Sequence, residues 1–372
     1  MIYLTKYRTA CQHTPELLDD ILYPQQVHWF KETYARAASG MVYPPHRLAD
    51  KVLDATLIAE LKTVDAGKTA FILAGGNAHF AGLQAPIRSS RLSYAYKMLP
   101  LSLTQLYAGR IAQSCNATDY VTTDASACAS SLKVLMDVQV LIDHYEFDRV
   151  IVLSVEDAVS NLVLEFFGDA RASLTHKEQT ETGKKPSAFD RQNGGFFVGQ
   201  GAALAVFESE AGLARSGSQP TARLLGAYAA SEPCTNSMGQ NPEGIGFCRA
   251  AAGAIKRAGV ATEDIGIVKT HGTGTESNNI AERAALKSLA LDNFVATSFK
   301  PSIGHTMGAS GLLETLLLLD SIKIGVIPEI QNRTEPDAVF LSEPCQAPKK
   351  YILSLAAGMG NVYAAAILSA EV

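Results

Sequence analysis

The 372-residue chain carries 32 Lys and Arg against 37 Asp and Glu, a formal net charge of −5, with 47% hydrophobic and 19% charged residues. A length of this order allows one large or two closely joined domains with an ample core, and the composition excludes disordered and fibrous classes. The mild acidity speaks against a nucleic-acid partner, which needs clustered Lys and Arg.

The N-terminus, "MIYLTKYRTACQHTPELLDD", lacks the apolar core of a signal peptide, so a cytoplasmic location is expected. In the first half, "TAFILAGG" (69–76), "DYVTTDAS" (119–126) and "RVIVLSVED" (149–157) read as buried strands, too short and too β-branched for helices. Between the last two, "SLKVLMDVQVLIDHY" (131–145) places Leu132, Leu135, Val138 and Leu141 or Ile142 at helical spacing. Strand, helix, strand is a crossover unit and predicts a parallel sheet covered on both faces. The polar stretch 173–195, "SLTHKEQTETGKKPSAFDRQNGG", reads as an exposed excursion joining two halves.

The second half repeats this grammar. "AALAVFES" (202–209) and "ARLLGAYAAS" (222–231) are strand-like, and "EGIGFCRAAAGAIKRAGV" (243–260) is an Ala-rich helix. "IGIVKTHGTGT" (265–275) and "FVATSFKPSIGHT" (294–306) are strands running into loops of Gly, Ser and Thr. "GLLETLLLLDSIKIGVI" is the longest apolar run, but Glu314, Asp320 and Lys323 interrupt it, so no membrane span is expected. The final 24 residues predict two strands around a glycine turn. The whole is α/β.

Six cysteines (Cys11, Cys115, Cys128, Cys234, Cys248, Cys345) are dispersed, with no metal-ligand spacing among them or the eight histidines, so no metal is expected. Cys128, in "DASACASSLKVL", begins a predicted helix. Free N–H groups of the first turn and the dipole's positive end would lower its thiol pKa, and the neighbours Ala127, Ala129, Ser130 and Ser131 leave room for a substrate. On this stretch alone a packed structural thiol remains equally open. His271, in "KTHGTGTESNN", and His305, in "KPSIGHTMGASGLLE", each leave a strand in a small-residue loop. Ligand crevices of open α/β sheets lie at such carboxyl ends. Lys300 precedes His305 by five residues and Glu314 follows it by nine.

With these residues in place the chain resembles the β-ketoacyl synthases, condensing enzymes of the thiolase superfamily. Their three signatures appear in order as "ACASS", "HGTGT" and "KPSIGHTMGASG", with a fourth match in "FDRQNGGFFVGQGAALAVFE". The likeness runs from about residue 70 to the end; the first 60 or so lack the family's glycine-rich strand start. It implies a thiolase-like fold of two similar βαβ halves in a five-layered αβαβα arrangement, divided as 1–210 and 211–372. It further implies that Cys128 accepts an acyl chain from an acyl carrier protein, with its own N–H and that of Met359 forming an oxyanion hole. His271 and His305 would bind the malonyl thioester during decarboxylation. Lys300 would hold charge near His305, Glu314 would pair with Lys300 or order the loop, and Thr273 and Thr275 would touch the pantetheine arm. No cofactor is implied beyond the carrier's phosphopantetheine, and the expected assembly is a homodimer or a heterodimer with a ketosynthase-like partner.

Four departures stand out: Asn193 for the usual Arg, Gln200 for Glu, Asn279 for an acidic residue, and Met359 where a phenylalanine gates the acyl pocket. They suggest a specialised polyketide, polyene or fatty-acid-like pathway. The alternatives are an acyltransferase-like protein or a chain-length-factor-like subunit that does not itself condense.

Overall fold

A computed structural model describes residues 1–11, 49, 52–65, 67–75, 103–156, 158–159, 161–233, 238–348 and 351–370. Its strands are β1 (Ile2–Cys11), β2 (Thr69–Ala74), β3 (Tyr120–Asp124), β4 (Arg149–Glu156), β5 (Gly201–Ser209), β6 (Ala222–Ser231), β7 (Ile265–Lys269) and β8 (Val295–Thr297), followed by β9 (Val326–Ile327), β10 (Cys345–Gln346), β11 (Tyr351–Gly358) and β12 (Val362–Ser369). The helices used below are α1 (Ala55–Thr63), α2 (Thr104–Ser114), α3 (Ser130–Tyr145), α4 (Asn161–Asp169), α5 (Ile245–Ala258), α6 (Glu276–Ser288) and α7 (Ser310–Lys323).

Ten strands form one mixed sheet in the order β3-β2-β4-β5-β1-β6-β12-β11-β7-β8. Numbered within each half, both edges read inward as third, second, fourth, fifth and first strand. The pairing repeats too: β2 is parallel to β3 and β4 as β7 is to β8 and β11, and the fifth strand is antiparallel to both its neighbours in each half. The halves join where Ile2–Leu4 of β1 pairs antiparallel with Ala222–Leu224 of β6.

Side-chain alternation along these strands builds layers. Ala70, Ile72 and Ala74 of β2 face a central core shared with α3 and α7, while Phe71 and Leu73 face an outer core with α1 and α2. A third core places α5 and α6 outside the second half. Helix, sheet, central helix pair, sheet and helix follow in that order, a thiolase-like αβαβα arrangement. Leu132, Leu135, Val138 and Leu141 are all buried on α3, and α7 is buried nearly all round, as expected of a helix clasped between two sheet halves. No helix among the described residues is long and apolar enough to cross a membrane.

Two features differ from expectation. β1 is a ten-residue strand at the centre of the sheet; its alternation is disguised by Lys6 and Arg8 and by a register shift between Leu4 and Lys6. The 173–195 stretch is not simply an exposed excursion. Its helix (His176–Thr182) is polar, but Ser187–Asp190 is buried, because Gly195 N–H donates to the Gly274 carbonyl at 2.8 Å and seats the segment on the His271 loop.

Candidate active site

After β3 the chain turns into α3 through a short 3-10 turn, Ala127–Ala129, with Cys128 at its centre. Ala127 takes a left-handed backbone, φ 49°, which costs a non-glycine residue energy and is tolerated where surrounding structure enforces it. The second half repeats the device. After β8, Met307 has φ 45° and opens a 3-10 turn into α7, just after His305. α3 and α7 touch near their N-termini: a Cβ on Gly311 would lie 2.6 Å from Leu132 Cβ, and Leu312 N–H donates to Ser131 Oγ at 3.0 Å. This crossing brings Cys128 and His305 together from positions far apart in sequence. Cys128 Sγ lies 4.0 Å from Met307 Sδ.

His305 is fixed from both sides. Its N–H donates to the Phe197 carbonyl at 2.7 Å and its carbonyl accepts from Gly199 at 2.8 Å, while Nδ1 lies 2.9 Å from Ser310 Oγ. Phe196 meets the ring edge-on at 4.8 Å. The His271 ring is perpendicular to it, centroids 5.7 Å apart. His271 and Gly272 donate their N–H groups to Glu282, which also accepts from Asn278 Nδ2 at 2.9 Å. His271 Nδ1 is buried without a hydrogen-bond partner among the described residues, a group of the kind a ligand satisfies.

Cys128, His271, His305, Thr273, Thr275 and Met359 line one narrow cavity of about 90 Å³. The two threonine hydroxyls are 3.0 Å apart, and Met359 is 39% exposed at the β11–β12 turn. Beside it Gly358 closes on Cys128: a Cβ there would lie 2.7 Å from the Ser126 carbonyl and 3.3 Å from Cys128 N.

Lys300 sits one layer below. Its ammonium donates to the His271 carbonyl and pairs with Glu314 at 2.8 Å. Lys269 approaches the same carboxylate at 3.4 Å and donates to the Leu355 carbonyl at 2.7 Å. All three side chains are fully buried.

Burial, then Lys300, then neighbouring cations hold both histidines well below the usual imidazole range, so both rings are neutral at pH 7. Burial also pushes the Cys128 thiol up to about 12, with Glu156 adding to it and Lys300 opposing. The expectation of a depressed thiol is thereby corrected. Val163, Phe196, Val198 and Met307 enclose the sulfur, and loss of water outweighs the helix start.

Among the departures, Asn279 accepts from Phe189 N–H at 3.2 Å. Asn193 accepts from Lys185 N–H at 3.0 Å and donates to the Asn332 carbonyl. Gln200 holds a buried amide oxygen with no hydrogen-bond partner among the described residues. Three buried charges behind the site were not anticipated: Glu282, Lys269, and Glu156, which accepts from Gly308 N–H at 3.0 Å. Glu282 lies on the helical face of Asn278, a spacing that could have marked it.

Residues 37–211 match the family model "Beta-ketoacyl synthase, N-terminal domain" and residues 221–334 match "Beta-ketoacyl synthase, C-terminal domain". The chain belongs to the β-ketoacyl synthase family. The tetracenomycin polyketide synthase ketoacyl synthase alpha subunit of Streptomyces glaucescens is 28% identical over 267 residues, 70% of this chain and 62% of the relative. The chain spans about 60% of the length of the curated relatives it matches. A type II polyketide synthase ketosynthase, solved with its acyl-carrier protein and bound to the hexaketide, superposes with TM-score 0.80 at 17% identity, covering 99% of this chain and 98% of that one. The ishigamide ketosynthase/chain length factor gives 0.77 at 20%, covering 99% and 98%. At these identities the two structures speak for the β-ketoacyl synthase fold.

Proposed function

We propose that this β-ketoacyl synthase condenses a Cys128-bound acyl chain with malonyl-acyl carrier protein, in a polyketide, polyene or fatty-acid-like pathway. The observation that carries it is the convergence of one thiol and two neutral, mutually perpendicular imidazoles on a single cavity.

The thiol is protonated at rest. It loses its proton as sulfur attacks the carrier thioester, and the departing carrier sulfur takes one up, so the exchange is thiol for thiol. The N–H groups of Cys128 and Met359 hold the tetrahedral oxygen; the close approach of Gly358 to Cys128 N supports that pairing. Each neutral imidazole then offers one N–H to the malonyl thioester oxygen. Ser310 can donate its hydroxyl to His305 Nδ1, which leaves the ring hydrogen on Nε2. Carbon dioxide leaves, the enolate carbon attacks the Cys128 thioester, a carbon–carbon bond forms and the carbon–sulfur bond breaks. The released thiolate takes a proton, so one proton is consumed per turnover. Thr273 and Thr275 flank the pantetheine arm, Lys300 fixes the His271 loop through its carbonyl, and Glu314 holds Lys300.

The partners in this reading are an acyl carrier protein and a second ketosynthase-like chain, its own copy or a paralogue, meeting at the β3 edge, where Tyr120 is exposed. The chain divides into two thiolase-like halves at residues 210 and 211, supported by the repeated strand order. Phosphopantetheine arrives on the carrier and no bound cofactor is invoked. The cytoplasm is the assigned compartment, supported by five free cysteines among the described residues. Retention of the thiol and both imidazoles favours condensation over a non-condensing subunit.

Incubation with an acylated carrier protein should add the acyl mass to Cys128, and Cys128→Ala should abolish the adduct. If the wild type loads but malonyl-carrier yields neither carbon dioxide nor elongated product, the condensing assignment fails.

A further inference from the structure

The buried charges beneath the two histidines do not balance in pairs. Lys300 and Lys269 share one carboxylate, Glu314, and all three side chains are fully buried. Two lysines therefore share one direct carboxylate partner in a place where an unpaired charge is costly. Glu282, the other carboxylate nearby, is occupied by the N–H groups of His271 and Gly272 and by the Asn278 amide.

Lys300 is accounted for by its bond to the His271 carbonyl. Lys269 is not. It ends β7, two residues before His271. Its ammonium reaches the Leu355 carbonyl of β11, three residues before Gly358, and the Glu314 carboxylate of α7, the helix that follows His305. One side chain therefore touches all three elements that present His271, His305 and Met359.

We propose that Lys269 is a positioning residue of the condensing site: its ammonium ties those three elements together and keeps positive charge under both imidazoles. This rests on the condensing assignment above. The charged groups around it are Lys300 on the short helix before His305, Glu314 on α7 and Glu282 on α6; β11 contributes only a carbonyl. Against this background the ammonium adds to the repulsion that disfavours an imidazolium at His271 and at His305. Its own pKa, lowered to about 8 first by burial, leaves it charged through the acidic range in which histidine titrates. The expected benefit is a pair of neutral donors that stay neutral as negative charge develops on the substrate oxygen, in a field already favourable to that charge.

The test uses the full chain and two uncharged variants, Lys269→Met and Lys269→Gln, the second keeping a donor for the Leu355 carbonyl. Acyl loading of Cys128 is read by intact mass, carbon dioxide release from malonyl-carrier is read against pH, and histidine ring titrations are followed by NMR. Loading should stay within about threefold of wild type in Lys269→Gln, which keeps a donor for the Leu355 carbonyl, while the acid limb of carbon dioxide release and the two buried ring titrations move up by roughly 0.5–1 pH unit in both variants. Unmoved titrations, loading and decarboxylation falling in parallel, or failure of both variants to fold would overturn the proposal. If the wild type releases no carbon dioxide the condensing assignment fails separately, and the ring titrations still decide whether Lys269 acts on the histidines.

Discussion

Replacing Gly358 by alanine perturbs the surroundings of Cys128 without adding or removing a polar group. Gly358 is absent from the positive-φ residues, so alanine can adopt its backbone and the effect is steric. The added Cβ would lie 2.7 Å from the Ser126 carbonyl, with Ala129 N at 3.2 Å and Cys128 N at 3.3 Å. Real contacts of this kind need about 3.4 Å, and all three atoms are backbone, so the β11–β12 turn and the Cys128 turn must separate by roughly 0.5–0.7 Å. Oxyanion donors act at about 2.7–3.1 Å, and losing one costs roughly 10²–10³ in rate, or about 2.7–4 kcal/mol. Overpacking of this size costs the fold about 1–3 kcal/mol. The expected result is a folded Gly358→Ala protein with a lower melting temperature, in which single-turnover transfer of an acyl group from carrier to Cys128, followed by intact-protein mass, slows by about two orders of magnitude. Transfer within threefold of wild type, at an unchanged melting temperature, would refute the argument that Gly358 sets the spacing of the oxyanion hole.

Three further outcomes follow from the buried charges. Alkylation of Cys128 by iodoacetamide should keep rising with pH towards about 12 and show no plateau near 8; a plateau there would mean that the helix start dominates after all. Glu156→Gln removes a carboxylate that raises the thiol pKa, so alkylation at pH 8 should increase several-fold, provided circular dichroism shows the Gly308 turn intact; unchanged alkylation counts against that coupling. Both histidines have folded-state pKa values below the unfolded value of about 6.5, so their contribution to stability is full above that pH and is lost as pH falls through it. The melting temperature should therefore drop between about pH 6.5 and 5, less so in His271→Gln; an identical drop in that variant would assign the acid sensitivity elsewhere.

The nucleophile and the two histidines were legible because each lies in a contiguous motif at a strand exit, where local order in sequence is local order in space. Lys269 was legible only as a letter, and Glu314 only as the expected partner of Lys300. What joins them is the adjacency of β7, β11 and α7, which no spacing along the chain encodes. The thiol's ionisation failed for a related reason: the helix start is visible in "ACASS", but the apolar wall comes from Ala158, Val159, Val163, Phe196, Val198 and Met307, and its desolvation decides the outcome. β1 escaped notice because Lys6 and Arg8 break the alternation of a strand buried between two others.

The repeated topology shows what distinguishes the halves chemically. Cys128 follows the left-handed Ala127, and Gly308 follows the left-handed Met307, each at the start of a central helix after the third strand of its half. The fourth strand of each half ends against one of these turns. β11 ends in Gly358, whose missing side chain brings backbone to within a Cβ contact of Cys128 N. β4 ends in Glu156, whose carboxylate takes the Gly308 N–H at 3.0 Å. One helix start is thus left open to a substrate oxygen, and its counterpart is filled by an oxygen from the protein itself. On the proposed assignment, a glycine and a glutamate at equivalent strand ends account for an oxyanion site beside Cys128 and for its absence beside Gly308, whose N–H is already satisfied.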